Sequence, residues 1–280
     1  MQGVNTASPK AMLERYGLRA KKSFGQNFLA DEHLAVKIAQ ACAAEGGSVV
    51  ELGAGLGALT RPLLASGVSF VLAVERDRDL VPALEQELAF DVQRGRLQIL
   101  EADAKSLDFA AALAGRPRPH VIAGNLPYQI TGPLLEKAVH SAPGIERAVF
   151  LIQLEVADRL AAAPGADAYG ALSVFAQRAF RVERAFVIRR GAFYPQPNVD
   201  SAVVTLEPLG AGPETAAFRS VVRRAFAQRR KQLKNAWSGL FEDRGLSLAR
   251  AAERAGIDLS TRGERLAVAD FSRMAAELEK

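Results

Sequence analysis

The chain has 280 residues, 49% of them hydrophobic, a net charge of +5 and a single cysteine. That length and apolar fraction suit one large core with a small appended domain, and one cysteine excludes a disulfide framework, as a reducing cytoplasm requires. The scattered His33, His120 and His140 offer no metal site, no stretch nears the ~20 apolar residues of a membrane span, and Met1 to Pro9 lack the apolar region of a signal peptide.

Residues 1 to about 20 are predicted to form a flexible basic arm. Asp31 is placed to cap a helix running to about Glu45, with Cys42 packed on it as a small apolar residue. Ser48-Val49-Val50-Glu51-Leu52 is a short apolar strand that runs into Gly53-Ala54-Gly55-Leu56-Gly57 and then a helical pattern near 58–66. Strand patterns near 69–74, 96–100, 120–124 and 147–152 alternate with helical ones near 78–90, 106–113 and 132–140. This repetition predicts an α/β fold, a parallel sheet with helices on both faces. Helices near 154–162 and 170–180 precede two β-rich runs, Arg181 to Arg189 and Ser201 to Glu207, joined by a loop containing prolines. Pro208-Leu209-Gly210-Ala211-Gly212-Pro213 reads as a linker. Beyond it the pattern is helical, with Phe218, Val221, Val222, Ala225 and Phe226 on one stripe and Trp237, Leu240 and Phe241 continuing the core. The expected division is therefore 1–208 followed by a helical domain, 209–280. No surplus apolar stripe demands a partner subunit, so a monomer is expected.

Chemistry-bearing residues fall at the ends of four successive strands. Glycines at the first strand-to-helix turn let backbone approach a ligand closely. The pattern is G-x-G-x-G, without the third glycine of the dinucleotide fingerprint or the lysine of a P-loop. Glu75 ends the second strand, 18 residues after Gly57, where an acid can take both hydroxyls of a ribose. Asp103 follows the third strand and can reach an adenine amino group. Asn125-Leu126-Pro127-Tyr128 leaves the fourth. An Asn oxygen accepts a hydrogen bond from an exocyclic NH2, the Pro127 carbonyl is a second acceptor, and Tyr128 can stack on a flat ring. Such a grip serves a poorly nucleophilic amine conjugated into an aromatic base. The C-terminal edge of an open parallel sheet is where such folds bind ligands.

Positive charge is concentrated. Between Thr215 and Phe241 lie Arg219, Arg223, Arg224, Arg229, Arg230, Lys231 and Lys234, and no acid. Intrahelical ion pairs within that stretch cannot account for the charge, and a phosphate backbone can. Arg15, Arg19, Lys21 and Lys22 form a second cluster.

The segments Glu51 to Gly57 and Asn125 to Tyr128 resemble motifs of the S-adenosylmethionine-dependent rRNA adenine N-methyltransferases. Phe24-Gly25-Gln26-Asn27-Phe28-Leu29 is similar to the segment that covers the cofactor in that family. Phe193-Tyr194-Pro195-Gln196-Pro197-Asn198-Val199-Asp200-Ser201 resembles its F-x-P-x-P-x-V-D-S loop, and Gln228 to Asn235 its basic signature. The resemblance runs from about residue 15 to about residue 275. It implies a Rossmann-like methyltransferase sheet whose last strand is antiparallel, S-adenosyl-L-methionine as cofactor, and Asn27 and Leu29 covering it. Gly53, Gly55, Gly57, Glu75, Asp103 and Asn125 would complete that site. Phe193 would stack on the face of the target base opposite Tyr128, after the base has left its stack. Arg219, Arg223, Arg229, Arg230, Lys231 and Lys234 would hold RNA. The small-subunit branch acts on two adjacent adenosines in a hairpin loop near the 3′ end of 16S rRNA, within a pre-ribosomal 30S particle. The large-subunit branch that gives macrolide resistance shares the cofactor motifs, and DNA or protein amino-methyltransferases usually carry proline where Leu126 stands.

Overall fold

The computed structural model describes residues 7–212, 214–228 and 230–280. The chain folds into two units. One takes the described residues up to Ala157 together with Phe180–Pro208; the other takes Asp158–Ala179 and Leu209–Lys280. The sequence pattern groups 158–179 with the first domain. In the structure Ala162, Tyr169 and Val174 of that segment join the apolar core of the C-terminal helices.

The strands are β1 (Phe28–Leu29), β2 (Ser48–Leu52), β3 (Phe70–Glu75), β4 (Leu97–Glu101), β5 (His120–Asn125), β6 (Arg147–Gln153), β7 (Phe180–Ile188), β8 (Phe193–Tyr194) and β9 (Ser201–Pro208). The helices up to the second unit are α1 (Pro9–Arg15), α2 (Glu32–Cys42), α3 (Thr60–Ala65), α4 (Val81–Glu87), α5 (Ala89–Gln93), α6 (Phe109–Ala112), α7 (Thr131–Ser141) and α8 (Leu154–Ala161). Those that follow are α9 (Ala171–Ala179), α10 (Ala216–Ala227), α11 (Leu233–Glu242), α12 (Leu248–Ala255) and α13 (Val268–Leu278).

Seven strands form one sheet in the order β4-β3-β2-β5-β6-β9-β7. The first five of that order run parallel, and β9 is antiparallel to both β6 and β7. This is an α/β sheet with its last strand antiparallel, as expected. Every residue of β2 and β3 is buried, because helices cover both faces of a parallel sheet and select unbroken apolar runs such as Phe70-Val71-Leu72-Ala73-Val74. The chain winds outward from β2 to β4 and then restarts beside β2 with β5. That reversal opens a crevice at the carboxyl ends of β2 and β5, where Leu52 and Gly124 stand side by side in register.

Local signals set the helix limits. The Asp31 carboxylate accepts the Leu34 N–H at 3.0 Å, and α2 stops at Cys42 because Ala43 turns left-handed, φ 46°. The expected helix over 78–90 breaks into α4 and α5 at Leu88, whose φ of −119° leaves the helical range. Asp108 caps α6, which has only four residues. Of the arm expected to be flexible, residues 1–6 lie outside the described residues. Pro9–Arg15 is a helix capped by Ser8, and its Met12 and Leu13 pack with Phe28, Leu56 and Leu80. Seven residues, about two turns, with buried Met12 and Leu13 adjacent, are too few to show a period, which hides this helix from pattern reading.

In the second unit Trp237, Phe218, Phe241 and Phe271 are fully buried in one cluster. The Trp237 indole N–H donates to the Val221 carbonyl at 2.9 Å, so the ring is buried without an unpaired donor. No helix among the described residues is long and apolar enough to cross a membrane.

Candidate active site

The carboxyl ends of β2, β3, β4 and β5 line one cleft with the segment Ser23–Phe28 laid over it. Gly53, Gly55, Glu75, Asp103, Asn27, Asn125, Pro127 and Tyr128 all face it. Three other residues assigned to the site do not. Leu29 and Phe193 pair across the small β1–β8 sheet and are buried in the main core cluster. Gly57 lies beneath its loop, where an added Cβ would come within 2.9 Å of Leu84. Phe193, expected to stack on a substrate base, is 5% exposed here and packs in the core cluster. The register puts Phe193 on the same side as Leu29, because strand side chains alternate. Its neighbour Tyr194 is the more exposed aromatic, at 38%.

The glycine turn is tied to the next strand. The Gly55 N–H donates to one oxygen of Glu75 at 2.8 Å, and the Asp77 N–H donates to the other at 2.7 Å. Gly55 has φ 57°, and a Cβ there would sit 3.1 Å from the Phe28 ring, so only glycine keeps both the turn and the overlying segment. Burial pushes the Glu75 carboxyl above its usual range, against the pull of those backbone donors. Asp103 accepts the Lys105 N–H at 3.0 Å, with the Lys105 and Arg76 side chains 3.5 and 3.8 Å from its other oxygen.

A latch that sequence reading missed holds the covering segment. The Lys21 ammonium donates to Asp77 at 2.5 Å and to Asp79 at 2.6 Å, and the Gln26 amide donates to the other oxygen of Asp77 at 2.7 Å. Asp77 is 2% exposed and sits two residues past Glu75, so the strand that presents the acid also anchors the cover. Hydrogen bonds from Lys21 depress the Asp79 carboxyl, and those to Asp77 and Asp79 raise the Lys21 ammonium. Arg15 likewise pairs with Glu87 at 2.7 Å, beside Tyr16 at 2.9 Å and Arg61 at 2.8 Å. Two of the four cations of the N-terminal cluster, Arg15 and Lys21, are therefore paired with acids within the chain. Charge counting cannot see partners 50 or more residues away.

Asn125 ends β5, its backbone paired with Leu151. Its amide NH2 donates to the Asn27 carbonyl at 2.9 Å. A carbonyl only accepts, so this contact fixes the amide and leaves Oδ1 as the free acceptor. Leu126 is buried at 1% and its N–H donates to Leu151, which anchors the tetrapeptide to the sheet. The Tyr128 hydroxyl lies 2.8 Å from that of Ser201, the last residue of the proline-rich loop. Burial raises the Tyr128 hydroxyl pKa. The Pro127 carbonyl already accepts the Ile130 N–H at 3.0 Å and the Thr131 hydroxyl at 3.1 Å.

Glu51 lies outside the cleft, wholly buried on the sheet face toward α3. Its Oε2 and the Thr60 hydroxyl oxygen have no hydrogen-bond partner among the described residues. Burial pushes its carboxyl up to about 8, so it folds as the neutral acid near pH 7. A raised pKa in the folded state means stability that is complete below the unfolded pKa of ~4.3 and lost as pH rises through about 8. Glu51→Gln, which does not titrate, should remove that loss. The stability of the wild type relative to the variant should fall by about 1.4 kcal/mol per pH unit between pH 6 and 8 and then level off. Denaturant titrations of both proteins across that range check it; parallel curves would refute the buried acid.

On the helical unit Arg223, Arg224, Arg230, Lys231 and Lys234 are exposed, and none makes an ion pair among the described residues. Arg219 faces Glu214 at 3.8 Å. Arg229 lies outside the described residues.

A family model described as ribosomal RNA adenine dimethylase matches residues 17–280. The chain is 45% identical over 277 residues to the ribosomal RNA small subunit methyltransferase A of Anaeromyxobacter sp. (strain K), covering 95% of each. It is 40% identical over 272 residues to the protein of the same name from Pseudomonas aeruginosa, covering 95% of this chain and 97% of that one. Among solved structures, a dimethyladenosine transferase from Plasmodium falciparum matches with a TM-score of 0.76 at 23% identity, over 88% of this chain and 95% of that chain, a likeness of fold. The 23S rRNA methyltransferase ErmE matches with a TM-score of 0.69 at 25% identity, over 91% of this chain and all of that one.

Proposed function

The chain belongs to the ribosomal RNA adenine dimethylase family, and from that premise we propose that it dimethylates the 6-amino group of adenosines in small-subunit (16S) rRNA, with S-adenosyl-L-methionine as methyl donor. The observation that carries the reading is Asn125. Its amide is locked by Asn27 so that Oδ1 is the acceptor, between the glycine turn and Tyr128.

The cleft fits an adenosyl sulfonium. Backbone at Gly53 and Gly55 would lie against the amino-acid part, Glu75 would take the ribose hydroxyls, and Asp103 the adenine amino group, with Asn27 above. When bound, the donor supplies an electrophilic methyl: the C–S bond breaks as the C–N bond forms, the electron pair stays on sulfur, and an N–H proton leaves the nitrogen for water. The protein supplies position and polarity. Asn125 Oδ1 would accept from the target amine, which draws its nitrogen lone pair out of conjugation; the Pro127 carbonyl, expected as a second acceptor, is already taken by the Ile130 N–H and the Thr131 hydroxyl. Tyr128 would stack on the flipped base, a contact worth ~1–3 kcal/mol. No strong general base is needed, because the proton departs after the nitrogen has become positive.

The exposed cations of α10 and α11 would neutralise phosphates of the rRNA. Replacing Arg223, Arg230 and Lys234 together by glutamine should weaken binding to small subunits and reduce the log–log salt slope by about 2–3, close to one per lost phosphate contact. Filter binding across a salt series reads the slope; a stability change with an unaltered slope would make the basic face structural. We take the substrate to be a pre-ribosomal 30S particle, the compartment to be the cytoplasm, and the active form to be a monomer.

The large-subunit reading has the ErmE likeness behind it, and the identity to small-subunit relatives outweighs it. Labelled donor offered to unmethylated small subunits, large subunits and DNA, with modified nucleosides identified by mass, separates them. Dimethyladenosine confined to small subunits is expected. Label only in large subunits would move the protein to the other branch, and none at all would end the proposal.

A further inference from the structure

A phenol ring offers a base one defined plane only when both of its ends are held, because its backbone leaves two side-chain bonds free to turn. The near end of Tyr128 is fixed by the tetrapeptide. The Leu126 N–H donates to the Leu151 carbonyl at 3.0 Å, and the Ile130 N–H donates to the Pro127 carbonyl at 3.0 Å. The far end meets Ser201, 73 residues on, hydroxyl to hydroxyl at 2.8 Å. Ser201 is a rigid post. It opens β9, stands in register between Gln153 of β6 and Ile188 of β7, and is buried. The residue before it is held as well. The Asp200 carbonyl accepts the Leu154 N–H at 3.0 Å, and its carboxylate accepts the Arg190 N–H at 2.9 Å and the Arg189 guanidinium at 2.8 Å.

We propose that Ser201 is a positioning residue for methyl transfer: its hydroxyl, bonded to that of Tyr128, sets the plane on which the target base stacks. This rests on the adenosine-methylation reading above. A base that has left its helix arrives with orientational freedom. Its amine must meet Asn125 Oδ1 and the sulfonium methyl in line, and a tilt of the ring against the base moves the nitrogen off that line. Asn125 is set by the Asn27 carbonyl at 2.9 Å and Tyr128 by Ser201. The polar contact and the stacking face are thus both fixed before the base arrives, which lowers the cost of ordering it. Ser201 itself does not line the cleft and acts through Tyr128. The bond also gives the serine that ends the proline-rich loop a task at the tetrapeptide.

Ser201→Ala removes the post, and Tyr128→Phe removes the hydroxyl it holds while keeping the ring. Each should lower the single-turnover rate on unmethylated small subunits about tenfold at saturating donor, the factor one hydrogen bond carries. The double variant should lose no more than either single, since both changes remove the same bond. Affinity for S-adenosyl-L-homocysteine should stay within about twofold of wild type in all three, because the bond lies outside the donor's contacts. Stability separates positioning from packing. Tyr128→Phe leaves the buried Ser201 hydroxyl unpaired and should lower the denaturation midpoint; Ser201→Ala added to it removes the orphan and should restore the midpoint. A purely structural serine would bring the rate back with the midpoint, whereas a positioning serine leaves the rate about tenfold down. The inference is overturned by a double variant in which both recover, by losses that multiply in the double, or by Ser201→Ala within about threefold of the wild-type rate. If Ser201→Ala does not fold, Tyr128→Phe decides on the same threshold. A wild-type protein that leaves the adenosines of small subunits unmethylated overturns the inference together with the reading beneath it.

Discussion

Replacing Asn125 by alanine is expected to lower methyl transfer by about 10²–10³-fold, the range seen when one preorganised polar group is taken from a reacting centre. The loss should fall on the rate at saturating substrate. Asn125 meets the target amine where positive charge develops, so its contact strengthens as the nitrogen loses conjugation, and a contact of that kind raises the turnover rate rather than ground-state binding. The structure adds a smaller second effect. The Asn125 amide also holds the Asn27 carbonyl of the covering segment at 2.9 Å, so donor affinity should fall by a few-fold, as for a single hydrogen bond. Lys21 and Gln26 still latch that segment to Asp77, which keeps the cover in place. Single-turnover rates at saturating donor measure the main effect. A rate within about threefold of wild type, less than one hydrogen bond is worth, would remove Asn125 from the reacting centre. Asn125→Asp offers a sharper contrast. Its two oxygens cannot donate to the Asn27 carbonyl, so the carboxylate faces an acceptor and the orientation is lost along with the amide.

The sheet was legible because its strands are short apolar runs at regular intervals, each followed by a turn carrying glycine or an acid. Those same turns named Gly53, Gly55, Glu75, Asp103, Asn125 and Tyr128, and all of them face one cleft. What the pattern hid is of two kinds. Facing direction was lost in short loops: Phe193 stands beside a proline-rich motif, yet a two-residue strand pairs it with Leu29 and turns it to the core. Pairing across the chain was lost altogether. Lys21 looks like one more surface cation until Asp77, 56 residues on, is seen beneath it. Glu51 reads as part of a glycine motif, and only burial shows that it is a neutral acid. The boundary of the helical unit failed for a related reason. Nothing local marks 158–179 as belonging with the C-terminal helices, since the affiliation lies in side chains such as Tyr169, whose hydroxyl donates to the Leu266 carbonyl at 2.9 Å.

Glu75→Ala should act on the donor and spare the chemical step. Each oxygen of Glu75 has one lone pair committed to a backbone N–H, Gly55 to one and Asp77 to the other. The remaining lone pairs are the ones a ribose diol would use. Removing the carboxylate therefore strips two charge-assisted contacts from the ligand and frees the glycine turn from β3. Hydrogen bonds to charged groups contribute ~1.5–3 kcal/mol each, so the dissociation constant for donor should rise by about 10²-fold or more. Glutamine will not rescue it. With a backbone N–H facing each terminal atom, the amide must aim its NH2 at a donor whichever way it turns, and that repulsion should leave Glu75→Gln about as weak as alanine. Calorimetric titration with S-adenosyl-L-homocysteine, which binds without reacting, reads the constant directly. At saturating donor the transfer rate of Glu75→Ala should return to within a few-fold of wild type, opposite to the behaviour of Asn125→Ala. An unchanged dissociation constant in a folded Glu75→Ala protein would take the acid out of the site. Full affinity in Glu75→Gln would mean that the two backbone donors do not govern its orientation.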